Sequence, residues 1–297
     1  MHDRDSLHQF LFEAFPVRGH IVHLDATWAA LLEHRTYPEG IRDTLGEAVA
    51  ASVLLASTVK FDGLLTLQLQ GQGPMHLLLA QCTNTLNVRA LARYREDPQT
   101  RDLSVLSGEG RLTVTVETDN QSQRYQGIVP LAGQRLADCL QGYFENSEQL
   151  PTRLWLYADE QGASGMLLQR LPAGNVDSSS RLAEIDDAWR RVQLLADTLQ
   201  PAELRTLSDR EILHRLFNED DVRLFEPTPV SFRCKCSRER VEGMLRSLGE
   251  GEVRSILTER PDVEVHCDFC NRAYTFDTVD VERIFKVGAG EGSGTVH

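Results

Sequence analysis

Apolar and polar positions alternate or recur with regular periods along most of the chain, and these periods divide it into elements. Residues 7 to 15 carry a pattern that fits a strand or a short helix, with Pro16 marking its end. Thr44-Leu45-Gly46-Glu47 has the form of a capping box ahead of an Ala-, Val- and Leu-rich run to Lys60, which predicts a buried helix starting there and ended by Asp62-Gly63. Leu65, Leu67 and Leu69 alternate with Thr66, Gln68 and Gln70, as a strand with one covered face would. Gly71-Gln72-Gly73-Pro74 then turns the chain into a second apolar run from Met75 to Cys82. Leu112, Val114 and Val116 alternate before a polar turn from Asp119 to Ser122, and Arg124 to Val129 returns as the partner strand. A helix from Leu136 to Phe144 follows, then two runs, Leu154 to Tyr157 and Met166 to Leu171, around a Gly-containing loop. The pattern predicts an α+β class, with a mixed domain on antiparallel sheet over residues 1–177.

From Pro172 the character changes. Ala173-Gly174-Asn175 and Ser178-Ser179-Ser180 form a loop of the kind that separates domains. Leu182, Ile185, Trp189, Val192, Leu195 and Leu199 then recur every three or four residues among charged neighbours, giving one narrow apolar stripe on a charged helix. Pro201 breaks it, and Ser208-Asp209-Arg210-Glu211 is a second capping box ahead of Ile212, Leu213, Leu216 and Phe217. Residues 178–229 thus read as an amphipathic helical linker, which keeps its shape only while its stripe is covered. Residues 230–286 are left as a small C-terminal domain. The Gly-rich residues 287–297 are predicted to be a disordered tail.

Composition narrows the function classes. With 41% hydrophobic and 25% charged residues over 297 positions, the chain can bury a sizeable core and divide into more than one unit. A net charge of −13 argues against non-specific nucleic-acid binding. His2, Asp3, Arg4 and Asp5 precede an interrupted apolar pattern rather than a signal sequence. The longest apolar stretch, Ala48 to Val59, is too short to span a bilayer, so a cytoplasmic protein without a membrane partner is expected. His8, His20, His23, His34 and His76 are scattered, with no nucleophile elbow or His-Glu-x-x-His helix, and no catalytic role is assigned. His20 and His23 flank Ile21 and Val22 in strand-like sequence and read as surface positions. Gly71-Gln72-Gly73 lacks the third glycine and the lysine of a phosphate loop, and Glu148 in Ser147-Glu148-Gln149 has no recognisable partner. Cys82 and Cys139 sit singly in apolar patterns and read as buried small hydrophobes.

The other four of the six cysteines carry the candidate chemistry. Cys234-Lys235-Cys236 and Cys267-Asp268-Phe269-Cys270 are two close pairs separated by 30 residues, the arrangement a tetrahedral all-thiolate zinc site requires, with one zinc per chain. Arg233, Lys235, Arg238 and Arg240 surround the first pair and favour the thiolate, the form that binds metal and that oxidants attack. Spacing alone leaves a structural clamp and a redox sensor both open. A metal-free disulfide is a third option, disfavoured as a permanent state where thiols are kept reduced. Structural zinc contributes roughly 10 to 16 kcal/mol to folding of small metal domains, so its loss is expected to unfold residues 230–285 and uncover the linker. Two other classes stand beside this. A zinc-ribbon nucleic-acid module would use Arg233, Arg238, Arg240, Arg246, Arg254 and Arg260, though Glu239, Glu242, Glu250 and Glu252 dilute their field. A thiol-disulfide oxidoreductase would use Cys267-x-x-Cys270, but that motif should open a helix, and Tyr274-Thr275-Phe276 continues as strand.

Cys234 to Arg240, Cys-Lys-Cys-Ser-Arg-Glu-Arg, together with His266-Cys267-Asp268-Phe269-Cys270, resembles the zinc module of the heat shock protein 33 family, redox-regulated holdase chaperones of the bacterial cytosol. The similarity continues through Leu54 to Gly63, Gln70 to Pro74, Arg124 to Val129 and Tyr143 to Thr152. The resemblance implies that reduced protein holds zinc through Cys234, Cys236, Cys267 and Cys270 and is a poor chaperone. Oxidation with an unfolding stress is implied to pair Cys234 with Cys236 and Cys267 with Cys270 and release zinc. It is further implied to unfold the linker, giving an ATP-independent, dimeric holdase that binds unfolding clients and is not an enzyme. Leu182, Ile185, Trp189, Val192, Leu195 and Leu199 are the candidate client-binding positions. His266 is the nearest rival ligand and, beside four thiolates, reads as a neighbour.

Overall fold

The computed structural model describes residues 4–33, 35–118, 124–145, 150–172 and 179–288. His34, the turn at 119–122, Ser147-Glu148-Gln149, the loop at 173–178 and the tail from 289 lie outside the described residues.

In chain order, strands β1 (Ser6–Phe12) and β2 (Val17–Leu24) precede helices α1 (Ala26–Leu32) and α2 (Glu39–Thr58). Strands β3 (Gly63–Gly71), β4 (Met75–Thr83) and β5 (Asn87–Tyr94), helix α3 (Leu103–Ser107) and the hairpin β6 (Gly110–Thr118) and β7 (Arg124–Val129) follow. Next come α4 (Leu136–Tyr143), β8 (Thr152–Ala158) and β9 (Ala163–Arg170). Helices α5 (Ser179–Ala196), α6 (Pro201–Thr206) and α7 (Asp209–Phe217) lead into short strands β10 (Val222–Leu224), β11 (Thr228–Pro229) and β12 (Ser231–Phe232). The chain ends in α8 (Arg238–Leu248), α9 (Glu250–Glu259), β13 (Val263–His266), β14 (Ala273–Phe276) and α10 (Thr278–Gly288). It divides into two compact units, Met1–Arg233 and Cys234–His297.

The first unit holds two largely antiparallel six-stranded sheets. One has the order β10-β1-β2-β9-β8, with β11 also on β1; the other has the order β12-β5-β4-β3-β6-β7, where β12 joins β5 in parallel. Leu65, Leu67 and Leu69 are buried, as their alternation requires, and β3 pairs with β4 through the predicted turn. Helix α2 packs against strands of both sheets, and nearly every residue from Ile41 to Ala56 is buried, which explains an apolar run with no polar stripe. It begins at Glu39 behind Pro38, earlier than the capping-box pattern predicts. Thr44 lies inside the helix, its Oγ1 donating to the Gly40 carbonyl at 2.7 Å, and such a back-bonded Thr mimics a cap in sequence.

The sheet containing β1, β2, β8 and β9 is covered on both faces. Val22 and Leu24 share a core cluster with α2, whereas Phe10, Phe12, Val17, Ile21, Met166 and Leu168 share one with Trp189, Val192, Ala196, Leu199, Ile212, Leu213, Leu216 and Phe217. Period-2 geometry assigns His20 to the α2 face and His23 to the helical face. Both are buried, at 1% and 3% exposure, which corrects their expected place at the surface. A strand paired on both edges and covered on both faces has no surface positions, and β2 is paired to β1 and β9. Of the six linker candidates, Trp189, Val192 and Leu199 are buried on this sheet, Leu195 is half-buried there, Ile185 is buried, and Leu182 is exposed. Pro201 does more than end a helix: it is the first residue of α6. The Ser208–Glu211 capping box forms, Ser208 Oγ accepting from Glu211 N at 3.3 Å and Glu211 returning a carboxylate to Ser208 N at 2.8 Å.

Candidate metal centre

The second unit is small. Its core is Leu245, Val253, Val263, Tyr274, Phe276, Val281 and Ile284, with Cys236 and Cys267 partly buried against it. Strands β13 and β14 pair from Val263–Phe276 to His266–Ala273, and the turn between them carries the second cysteine pair. That turn is closed by Cys267 N donating to Arg272 O at 3.0 Å and Asn271 N donating to Cys267 O at 2.8 Å. Asn271 takes φ +52°, a left-handed conformation that Asn tolerates better than most residues. The first pair immediately precedes α8, whose N-cap Ser237 accepts from Arg240 N at 3.3 Å. Arg240 also donates to the Lys235 carbonyl at 2.8 Å, fixing the backbone between Cys234 and Cys236.

These two anchored segments bring the four sulfurs together. Cys234 Sγ lies 3.5 Å from Cys267 Sγ and Cys236 Sγ lies 3.4 Å from Cys270 Sγ, and all four atoms fall within 4.8 Å of one another. Four sulfurs at about 2.3 Å from a tetrahedral zinc would stand about 3.8 Å apart, so the donor set and its spacing fit a metal of that kind. His266 is not among them. Its side chain is half exposed, with Nε2 3.2 Å from Glu264 and Nδ1 3.3 Å from Asn271 O.

Electrostatics at the sulfurs differ from the sequence expectation. Burial raises the Cys234 thiol well above its ordinary value, reinforced by neighbouring thiols, and burial also raises Cys270. Cys236 is opposed by burial too, yet the hydroxyl of Tyr274, donating to its sulfur at 3.2 Å, and the adjacent thiols bring it down to about 7. Of the arginines named from sequence, Arg240 is engaged by the Lys235 carbonyl and Arg238 by a carboxylate. Arg238 donates to Asp280 at 2.6 Å and to Thr275 O at 2.9 Å and stacks 4.3 Å over the Phe276 ring, tying α8 to β14 and α10. Arg246 pairs with Glu242 and Arg254 with Glu250, so these two are matched by carboxylates on their own helices. Cys267-x-x-Cys270 sits in a strand-to-strand turn and opens no helix. Cys82 and Cys139 are buried, and burial pushes the Cys82 thiol up to about 12.

Sequence reasoning missed Tyr274 as a donor to Cys236. The Tyr-Thr-Phe alternation places its ring in the core, but nothing in it reports what the hydroxyl reaches.

A family model described as Hsp33 protein matches residues 5–277. The chain belongs to the Hsp33 family. Among its relatives are proteins named 33 kDa chaperonin from Nitrosococcus oceani, 49% identical over 96% of both chains, and from Methylobacillus flagellatus, 46% identical over 95% of this chain and 94% of that one. The fold is similar to a crystal structure of the 33 kDa chaperonin from Thermotoga maritima, with a TM-score of 0.82 at 21% identity, covering 97% of this chain and all of that one. Membership of the Hsp33 family accords with the α+β fold and the C-terminal cysteine cluster. Among the described residues no helix is long and apolar enough to cross a membrane.

Proposed function

We propose that the protein is a cytoplasmic, ATP-independent chaperone whose hold on unfolding proteins is set by the redox state of Cys234, Cys236, Cys267 and Cys270. The name of its relatives, 33 kDa chaperonin, supports the chaperone role. The observation that carries the switch is the convergence of four sulfurs in a unit with only a small core of its own.

In the reduced state the four cysteines hold one zinc ion, which when bound supplies a cross-link worth roughly 10 to 16 kcal/mol in small metal domains. The sulfurs do the switching. Peroxide oxidises one thiolate of a pair to a sulfenic acid with loss of hydroxide, and the partner thiol displaces water to close the disulfide, so each bond sends two electrons to one peroxide. Pairing Cys234 with Cys236 and Cys267 with Cys270 removes all four ligands. A Cys-x-Cys ring is strained and therefore readily reduced when stress ends.

With unfolding stress, release of α5 to α7 from the sheet uncovers Ile185, Trp189, Val192 and Leu199 beside Leu182 and Leu195, an apolar stripe for clients. The active form is a dimer and needs no catalytic residue. Zinc content and suppression of client aggregation, measured on one sample before and after oxidation, test this reading. Equal suppression with the metal held and released would refute it.

A further inference from the structure

The first turn of α7 carries two acidic residues with opposite uses. Glu211 folds back to cap the helix, accepting from Ser208 N and Oγ at 2.8 and 2.6 Å. Asp209 turns into the sheet, where it is buried. Its Oδ1 lies 2.7 Å from Nε2 of His23, and its Oδ2 meets Nδ1 of His8. His8 on β1 and His23 on β2 have the parity of Phe10 and Ile21, so both point to the face that the helices cover. The other nitrogen of His23 is 3.2 Å from Ser164 Oγ on β9 and 3.1 Å from Arg4 Nη1. Arg4 extends the connection to α6, donating to the carbonyls of Arg205 and Thr206 at 2.7 and 2.9 Å. A cavity of about 320 Å³ lined by Arg4, His8, His23, Asp209, Phe225 and Glu226 opens onto the group, so water has a route to it.

Apolar side chains supply most of the remaining cover on this face, and apolar contact is non-directional. Other directional contacts, Arg205 to Asp25 at 2.9 Å and to Gln161 O at 2.9 Å, Arg170 to Asp186 at 2.5 Å and Trp155 Nε1 to Asp197 at 3.2 Å, use carboxylates more exposed than Asp209 or a loop carbonyl. A buried carboxylate held by hydrogen bonds behaves differently. Its hydrogen bonds are largely offset by the cost of desolvating it, so it adds little depth to the docked state, yet removing one partner leaves an unmatched buried group and is strongly destabilising. Such a contact fixes where a helix docks while leaving it releasable. Burial works against ionisation of Asp209, but the hydrogen bonds from His23 and His8 outweigh it and hold the carboxyl at about 2.

We propose that Asp209, held between His8 and His23, is the latch that docks α6 and α7 on the sheet, and that breaking it frees the client-binding stripe without any change at the four cysteines. This rests on the chaperone reading above. The test uses the reduced, zinc-loaded full chain carrying Asp209→Ala, with Asp209→Asn and His8→Gln as milder forms. Asp220→Asn serves as a control, since Asp220 pairs with Arg191 within the helical segment and not with the sheet.

Amide exchange across residues 201–217 should accelerate on the order of 100-fold in Asp209→Ala. Exchange in β3, β4, β13 and β14 and the zinc content should stay at wild-type values. The reduced variant should suppress aggregation of a thermally unfolding client at a level approaching that of oxidised wild type, and Asp220→Asn should do neither. Unaccelerated exchange at 201–217 overturns the latch. So does acceleration confined there without gain of suppression, provided oxidised wild type is active. If Asp209→Ala loosens β3 and β4 as well, the milder variants decide, and uniform loosening in all three overturns the proposal. Inactive oxidised wild type would instead remove the chaperone switch itself, leaving the exchange result to judge docking alone.

Discussion

Replacing Cys267 by Ser is the sharpest test of the metal assignment. The backbone bonds that close its turn, Cys267 N to Arg272 O and Asn271 N to Cys267 O, survive the change, so the substitution removes a donor atom and little else. If a site of this kind is worth roughly 10 to 16 kcal/mol and four sulfurs share it, each thiolate carries about 2.5 to 4 kcal/mol, or about two to three powers of ten in affinity. Competition against a chromogenic chelator under reducing conditions should show a fall of that size. Cys82→Ser and Cys139→Ser should leave the curve in place, since both thiols are buried apart from the cluster. His266→Ala should also leave it in place, because that ring faces Glu264 and the Asn271 carbonyl. Affinity of the Cys267→Ser chain within a factor of about ten of wild type would refute the four-thiolate reading.

Three further outcomes are expected. Tyr274→Phe deletes the hydroxyl at 3.2 Å from Cys236 Sγ while keeping the buried ring, so zinc affinity should drop about 10- to 100-fold with β14 still protected from exchange; an unchanged affinity would show the hydroxyl idle. Peroxide with mild warming should release about one zinc per chain and red-shift Trp189 emission, read with Trp28 and Trp155 replaced by Phe. Metal release with Trp189 still buried would sink the linker step. Burial raises the Glu47 carboxyl from the usual 4.5 to about 7, against the pull of Arg135 at 3.1 Å. A carboxyl with a raised folded pKa contributes its stability below about 4.5 and loses it as pH climbs through 7. The gap between those values is worth about 3 kcal/mol. Urea unfolding should therefore find Glu47→Gln equal to wild type at pH 4.5 and more stable by up to that amount at pH 8; the same gap at both pH values would refute the assignment.

Much of this could be read from the chain because the signals were local. Leu65, Leu67 and Leu69 report a one-sided strand within seven residues, Ser208 to Glu211 report a cap within four, and two cysteine pairs report a shared four-sulfur cluster because short spacings constrain where sulfurs can go. What escaped was set by distant neighbours. His23 looks like a surface histidine until β9 pairs with β2 and α7 lays Asp209, 186 residues later in sequence, against it. The start of α2 was misplaced because Thr44 makes the same kind of side-chain bond inside a helix as at its end. Arg238 and Arg240 looked like thiolate activators by adjacency, yet folding gives them carboxylate, ring and carbonyl partners instead.

Helices α5 to α7 occupy the stretch between β9 and β10, and both of those strands are stitched into the same sheet. A segment freed from that sheet therefore remains tethered at both ends, like the handle of a bucket. Its local concentration over the vacated face stays high whatever the dilution of the protein. Recapture is thus intramolecular, and under the proposed function a bound client competes with that face for the same side chains. On that proposal, handing over the client and closing the handle become one event, with no energy source other than the apolar surface already present in the chain.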